Sequence, residues 1–146
     1  MIYEKEEDIP EDFKPAFDVA ACFINHEGKV LMLLTQDYKK SGSKWGSPAG
    51  KIKENESSED ALIREVKEET GIILEKKDLF FHKKVFARHP KEDFVYYIYG
   101  INLKEKPKVV IDINENKEFL WLSPEDSLKL DLISEEDWCI KDFYNL

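Results

Sequence analysis

Residues 57–72 read SSEDALIREVKEETGI, and this stretch constrains the fold more than any other because it carries both a start and a stop. Ser57, followed three residues later by Asp60, is a reduced form of the capping box. Gly71 stands where a C-cap glycine belongs. Between them Ala61, Leu62 and Val66 recur at helical spacing, which predicts a helix over about Ser58–Thr70 with one apolar face. Its surroundings read as strands. Upstream, VAACFINHEGKVLMLLTQ is two apolar runs turned at Glu27-Gly28, a hairpin. Downstream, LFFHKKVFA and DFVYYIYGINL are aromatic and β-branched runs joined through a turn at Pro90. Ile72–Leu74, KVVIDI and EFLWL are three further expected strands. DYKKSGSKWGSPAGK reads as an irregular loop. Ser123-Pro124-Glu125 begins a helix, and a last helix after Ser134 is expected to carry Trp138 and Phe143 inward. There is no internal repeat. The expected class is mixed α/β (α+β), with one domain over residues 1–146.

The other face of the central helix poses an electrostatic problem. Glu65, Glu68 and Glu69 lie three and four residues apart, so they share a stripe on which like charges repel by a few tenths of a kcal/mol per pair. One reading is a solvated acidic surface. The other is that a partner is missing: Mg²⁺ and Mn²⁺ take oxygen ligands, and a few carboxylates on one helix face can hold such ions against a phosphate group.

The upstream context favours the second reading. Residues 50–72, GKIKENESSEDALIREVKEETGI, hold Gly50, Glu56, Arg64, Glu65, Val66, Glu68, Glu69, Gly71 and Ile72 at fixed offsets. All nine positions match the signature of the Nudix (MutT-like) hydrolases, a coincidence on the order of 10⁻⁹ per starting position. The chain resembles that family over these 23 residues and, more loosely, in KWGSPAG and EFLWLSPED. The resemblance implies an α/β/α sandwich around a mixed sheet, with 50–72 as a loop–helix–loop. It also implies Mg²⁺- or Mn²⁺-dependent hydrolysis of a phosphoanhydride in a nucleoside diphosphate linked to another group. Nucleoside triphosphates, dinucleoside polyphosphates, nucleotide sugars and ADP-ribose are the candidate substrates. The alternative is a Nudix-fold module that binds a nucleotide without turning it over.

Site roles follow by the same resemblance. Glu65 and Glu69 are expected metal ligands, Glu68 a ligand or the base acting on water, and the Ala49 carbonyl a further ligand. PAGK stands where many relatives have two or three glycines in a row, a change that a backbone ligand tolerates. Some relatives take the base from a later loop; Glu115 and Glu118 are the nearest candidates here, with Glu118 preferred. Glu56 and Arg64 are expected to support the ligands, Arg64 by gripping a glutamate through its two-pronged guanidinium. Arg88, one of two arginines, is either a phosphate contact or a solvated turn charge. Trp45 either stacks on a nucleobase or packs in the core.

Composition bounds the partners. A hydrophobic share of 42% supports a folded core. A net charge of −9 argues against binding a nucleic-acid polymer through its backbone, while bound cations can still admit a small anionic ligand. A second copy of the chain is an allowed partner. Cys22 and Cys139 show no metal or disulfide spacing. The three histidines show no ligand spacing, and DINENKEFLWLS departs from a calcium loop at Lys117 and Ser123. No signal peptide or membrane span is evident, so a cytoplasmic location away from membranes is expected.

Overall fold

A computed structural model describes all 146 residues. Its central strand is the apolar run Pro15–His26 (β2), whose alternate side chains serve two cores. Ala20, Cys22 and Ile24 enter one core and Phe23 the other. Lys29–Thr35 (β3) divides in the same way, with Leu31 and Leu33 on the first side and Val30 and Met32 on the second. A pleated strand alternates its faces, and these strands are apolar on both because both are covered. Glu27 and Gly28, both at positive φ, turn β2 into β3, the geometry of a two-residue hairpin.

The remaining strands are Ile2–Tyr3 (β1), Trp45–Gly46 (β4), Ala49–Lys51 (β5), Phe80–Arg88 (β6), Asp93–Asn102 (β7) and Asn116–Leu122 (β8). The helices are Ser58–Thr70 (α1), the single turn Pro124–Ser127 (α2) and Glu136–Tyr144 (α3). The sheet runs β1-β6-β7-β2-β3-β4, with β5 also on β2 and β8 also on β3. Only the β2–β7 ladder is parallel, so the sheet is mixed. Leu62 and Val66 of α1 close one core and Cys139 and Ile140 of α3 the other, giving the expected helix–sheet–helix layering. No helix is long and apolar enough to cross a membrane.

The strands part where the site will form. β2 and β3 pair only beside their turn, at Asn25↔Val30 and His26↔Lys29. Farther along, β4 pairs with β3 and β5 with β2. The segment WGSPAGK, expected to be irregular throughout, therefore supplies two short strands that fill the opening between β2 and β3 and lead into α1.

Two expected strands are absent, and their backbones explain why. Around Ile72–Leu74 burial alternates as in a strand, Ile73 being exposed between two buried neighbours, but no ladder forms. KVVIDI likewise turns Val109 and Ile111 toward the core, yet its N–H groups go to a helix end. Val110 donates to the Thr70 carbonyl at 2.8 Å and Asp112 to the Glu69 carbonyl at 3.3 Å. The last carbonyls of a helix lack partners within it, and this segment serves them instead of a sheet. On α3 the deepest residues are Cys139 and Ile140, while Trp138 and Phe143 are half-buried around them.

Candidate functional site

At the opening between β2 and β3 lies a cavity of about 640 Å³ lined by Glu65, Glu68, Glu69, Asp112 and Glu115. The first three come from α1, whose ends are set as the sequence implies. Ser57 Oγ accepts from the Asp60 N–H at 3.0 Å. Gly71, at φ 75°, closes the helix through its N–H to the Lys67 carbonyl at 2.9 Å, a left-handed position that favours glycine. Gly50 answers a different demand. A β-carbon there would lie 2.1 Å from Cδ of Glu65, so the glycine lets the helix carboxylate pack directly on the β5 backbone.

Arg64 organises this face. Its Nε and Nη2 reach the two carboxylate oxygens of Glu56 at 2.9 and 3.0 Å, a bidentate grip. Nη1 donates to Glu65 Oε1 at 2.6 Å, Nη2 reaches the Lys51 carbonyl at 3.2 Å, and Glu68 stands 3.6 Å away. The Arg64 bond, aided by the Lys53 N–H, lowers the Glu56 carboxyl to about 2.

Glu69 is the unusual member. Burial, reinforced by the charge of Glu65, raises its carboxyl well above the usual range, against the opposing pull of the Ala49 N–H and the Asn116 side chain. Its Oε1 is closed off from solvent without a hydrogen-bond partner. A buried carboxylate oxygen left unpaired is costly, and a cation is the partner that its chemistry fits. Glu65 is turned to Arg64, and Glu68 is more than half exposed.

The structure places the other expected residues variously. Ala49 lines the cavity. Glu115 does too, its carboxylate held by Lys39 at 2.8 Å. The preferred Glu118 does not reach it; it lies exposed on β8 opposite Leu34. Alternation accounts for this, for Glu118 stands three residues from Trp121, which packs on the α1-side core, and so lies on the other face of β8; beyond it comes a bulge, Leu34 and Thr35 being adjacent on β3 while their partners Glu118 and Asn116 are two apart on β8. Such an extra residue re-aims the strand, and Asn116, 4% exposed, is the residue that faces inward. Arg88 also stands apart, engaged by Asp93 at 3.0 and 3.1 Å and by Asp12 at 2.9 Å. Trp45 packs half-buried against the α3-side core and does not line the cavity. Among the lining residues that sequence reasoning passed over are Asp112 and Asn116. Their signal was a polar cluster directly ahead of EFLWL, set aside once it failed as a calcium loop.

Known proteins share this architecture. Residues 14–143 match the family model described as the NUDIX domain. A Caenorhabditis elegans protein carrying the nudix hydrolase name is 36% identical over 90 residues, 60% of this chain and 25% of that one. The chain thus spans about a quarter of that relative's length. Phosphatase NudJ of Shigella boydii is 28% identical over 117 residues, covering 80% of this chain and 74% of its own. Among solved structures, a MutT protein from Methanosarcina mazei superposes with a TM-score of 0.75 at 23% identity, covering 90% of this chain and 95% of that one. With the family model spanning most of its length and the carboxylate helix, glycine cradle and layered sheet all in place, the chain belongs to the NUDIX domain family.

Proposed function

We propose that residues 1–146 act as one unit that hydrolyses a phosphoanhydride bond in a nucleoside diphosphate linked to another group, using Mg²⁺ or Mn²⁺. The observation that carries this reading is Glu69 Oε1, buried and unpaired among the other carboxylates of the cavity. Glu65, Glu68, Glu69 and the Ala49 carbonyl would hold the metal. When bound, a divalent cation neutralises charge on pyrophosphate oxygens and makes a water a stronger nucleophile. The chain's own residues do the rest. Arg64, anchored on Glu56, fixes where Glu65 points. Gly50 keeps the helix close enough to the Ala49 backbone for both to face one ligand. Glu68 or Glu115 accepts the proton of the attacking water on a carboxylate oxygen; Glu115 takes the place foreseen for Glu118 because, of those two glutamates, it is the one that lines the cavity.

The test is a panel of nucleoside triphosphates, dinucleoside polyphosphates, nucleotide sugars and ADP-ribose assayed with Mg²⁺ or Mn²⁺, for the chain and for Glu69→Gln. Turnover of at least one class, falling by at least about a hundredfold in the variant, is expected, since even residues that only support a metal ligand are worth 10–100-fold. Binding without turnover across the panel would instead identify a nucleotide-binding module.

A further inference from the structure

Beside the carboxylate cavity lies a second one of about 400 Å³, and the two share Lys40, Ser41, Lys51 and Ile133 along their common wall. Its chemistry is different. The floor is aromatic: Phe17 and Phe94 stack with centroids 5.5 Å apart, and Tyr96 meets Phe94 edge-on at 4.9 Å. The rim is basic, with a single carboxylate, Glu92. Lys40 takes that carboxylate at 2.9 Å, and Lys44 turns to Asp131 at 2.8 Å. Lys51 and Lys91 also line the cavity and enter no ion pair. The Lys51 ammonium lies 4.2 Å over the Phe17 ring, which orients it without neutralising it. In a chain of net charge −9, two lysines left unpaired in one cavity are a local reversal of the field.

We propose that this second cavity receives the part of the substrate beyond the cleaved anhydride, and that Lys51 and Lys91 select substrates bearing a further phosphate there over those ending in a neutral sugar. The assignment rests on the hydrolase reading, in which the carboxylate cavity takes the pyrophosphate. Lys51 borders both cavities, and its ammonium lies over Phe17 in the second, within the space a phosphate chain would enter on leaving the first. Ammonium–phosphate contacts are charge-assisted and stronger than neutral hydrogen bonds. A neutral sugar in the same space would cover the two ammonium groups without replacing their water by an anion, a loss that discriminates more strongly than a missing apolar contact. Nucleoside polyphosphates are therefore favoured over nucleotide sugars and ADP-ribose.

Calorimetric titration of inorganic pyrophosphate and tripolyphosphate, each with Mg²⁺, separates the two cavities. The wild-type chain is expected to bind tripolyphosphate about tenfold more tightly than pyrophosphate, the worth of one or two charge-assisted contacts. In Lys51→Met/Lys91→Met that preference should fall toward one, and in Lys51→Arg/Lys91→Arg it should return. The kcat/KM ratio of ATP to ADP-ribose should drop in parallel, chiefly through KM. Should loss of Lys51 disturb the Phe17 contact, Lys91→Met alone carries the comparison. A tripolyphosphate preference absent from the wild type, or undiminished in the methionine variants, overturns the assignment. Absence of Mg²⁺-dependent turnover over the whole panel counts instead against the hydrolase reading, leaving the binding ratio to decide the role of the lysines.

Discussion

Gly50 and Glu65 occupy space that only a glycine permits them to share, since an added β-carbon would sit 2.1 Å from the carboxylate carbon. Gly50→Ala should therefore push Glu65 off β5. Because the clash is with the end of a flexible side chain, the fold should lose little stability, but Mn²⁺ affinity should fall by more than about tenfold. A Mn²⁺ titration matching wild type would show that the contact is dispensable. Arg64→Lys tests the neighbouring grip. Lysine keeps the charge but loses the fork that spans both Glu56 oxygens, so metal affinity should fall by about 10–100-fold while Glu56 loses much of what holds its carboxyl near 2. At this scale the motif residues could be read from fixed offsets because each offset answers a local need: a close approach at Gly50, a left-handed cap at Gly71, a shared helix face for the glutamates. The choice of Glu118 over Glu115 could not be read in that way. It depends on which face of β8 Trp121 buries, and the inward place of Asn116 depends on one extra residue in the β8 register, a bulge that nothing in the composition of NENKEFLWL announces.

The boundaries of α1 match the sequence expectation because capping and periodicity are local. Ser57→Ala should cost about 1 kcal/mol, seen as a lower urea midpoint with an unchanged slope; a changed slope would mean that more than the cap was lost. α3 contributes to the site from the opposite layer. Its Glu136, 7% exposed, accepts the Ser47 N–H at 2.9 Å and so ties the helix to the segment that carries Ala49. Burial raises the Glu136 carboxyl above its ordinary 4.5, so the folded chain keeps this proton to higher pH than the unfolded chain. That contribution is complete below about pH 4.5 and is lost as pH rises through the raised value. Glu136→Gln retains an acceptor and cannot ionise. Its Tm, relative to wild type, should thus improve as pH rises above about 4.5; a flat difference would refute the linkage. The unrealised strands at Ile72–Leu74 and KVVIDI belong to this scale as well. Both contain continuous aliphatic runs, a composition that suits extended backbone but is silent on where the backbone bonds go. For Val110 and Asp112 the bonds go to the end of α1.

For the whole molecule, the clearest expectation concerns metal. An ion that binds only the folded chain adds about 2.7 kcal/mol at a hundred times its Kd. For a chain of this size that is about 5–10 °C in Tm, reversed by a chelator and reduced in Glu65→Gln, Glu68→Gln and Glu69→Gln. A Tm indifferent to Mg²⁺ and Mn²⁺ would return the acidic stripe to an ordinary surface. The layering was expected from the family resemblance alone, and the structure supplies its physical reason: β2 and β3 are apolar on both faces and are covered on both. The order of the strands was not open to sequence reasoning, since pairing between distant segments leaves no local trace. The parallel ladder joining β2 to β7, from Pro15↔Asp93 to Asn25↔Asn102, has a temporal consequence. A ribosome delivers β2, its hairpin and the carboxylate helix long before it delivers the strand that completes the central ladder. Until Asn102 has emerged, α1 has only part of its apolar bed and β2 keeps an open edge, the situation in which growing chains aggregate or engage chaperones. The motif is thus synthesised early but can be assembled into its cavity only late, and a message truncated after α1 would encode every motif glutamate without the strand that completes their setting.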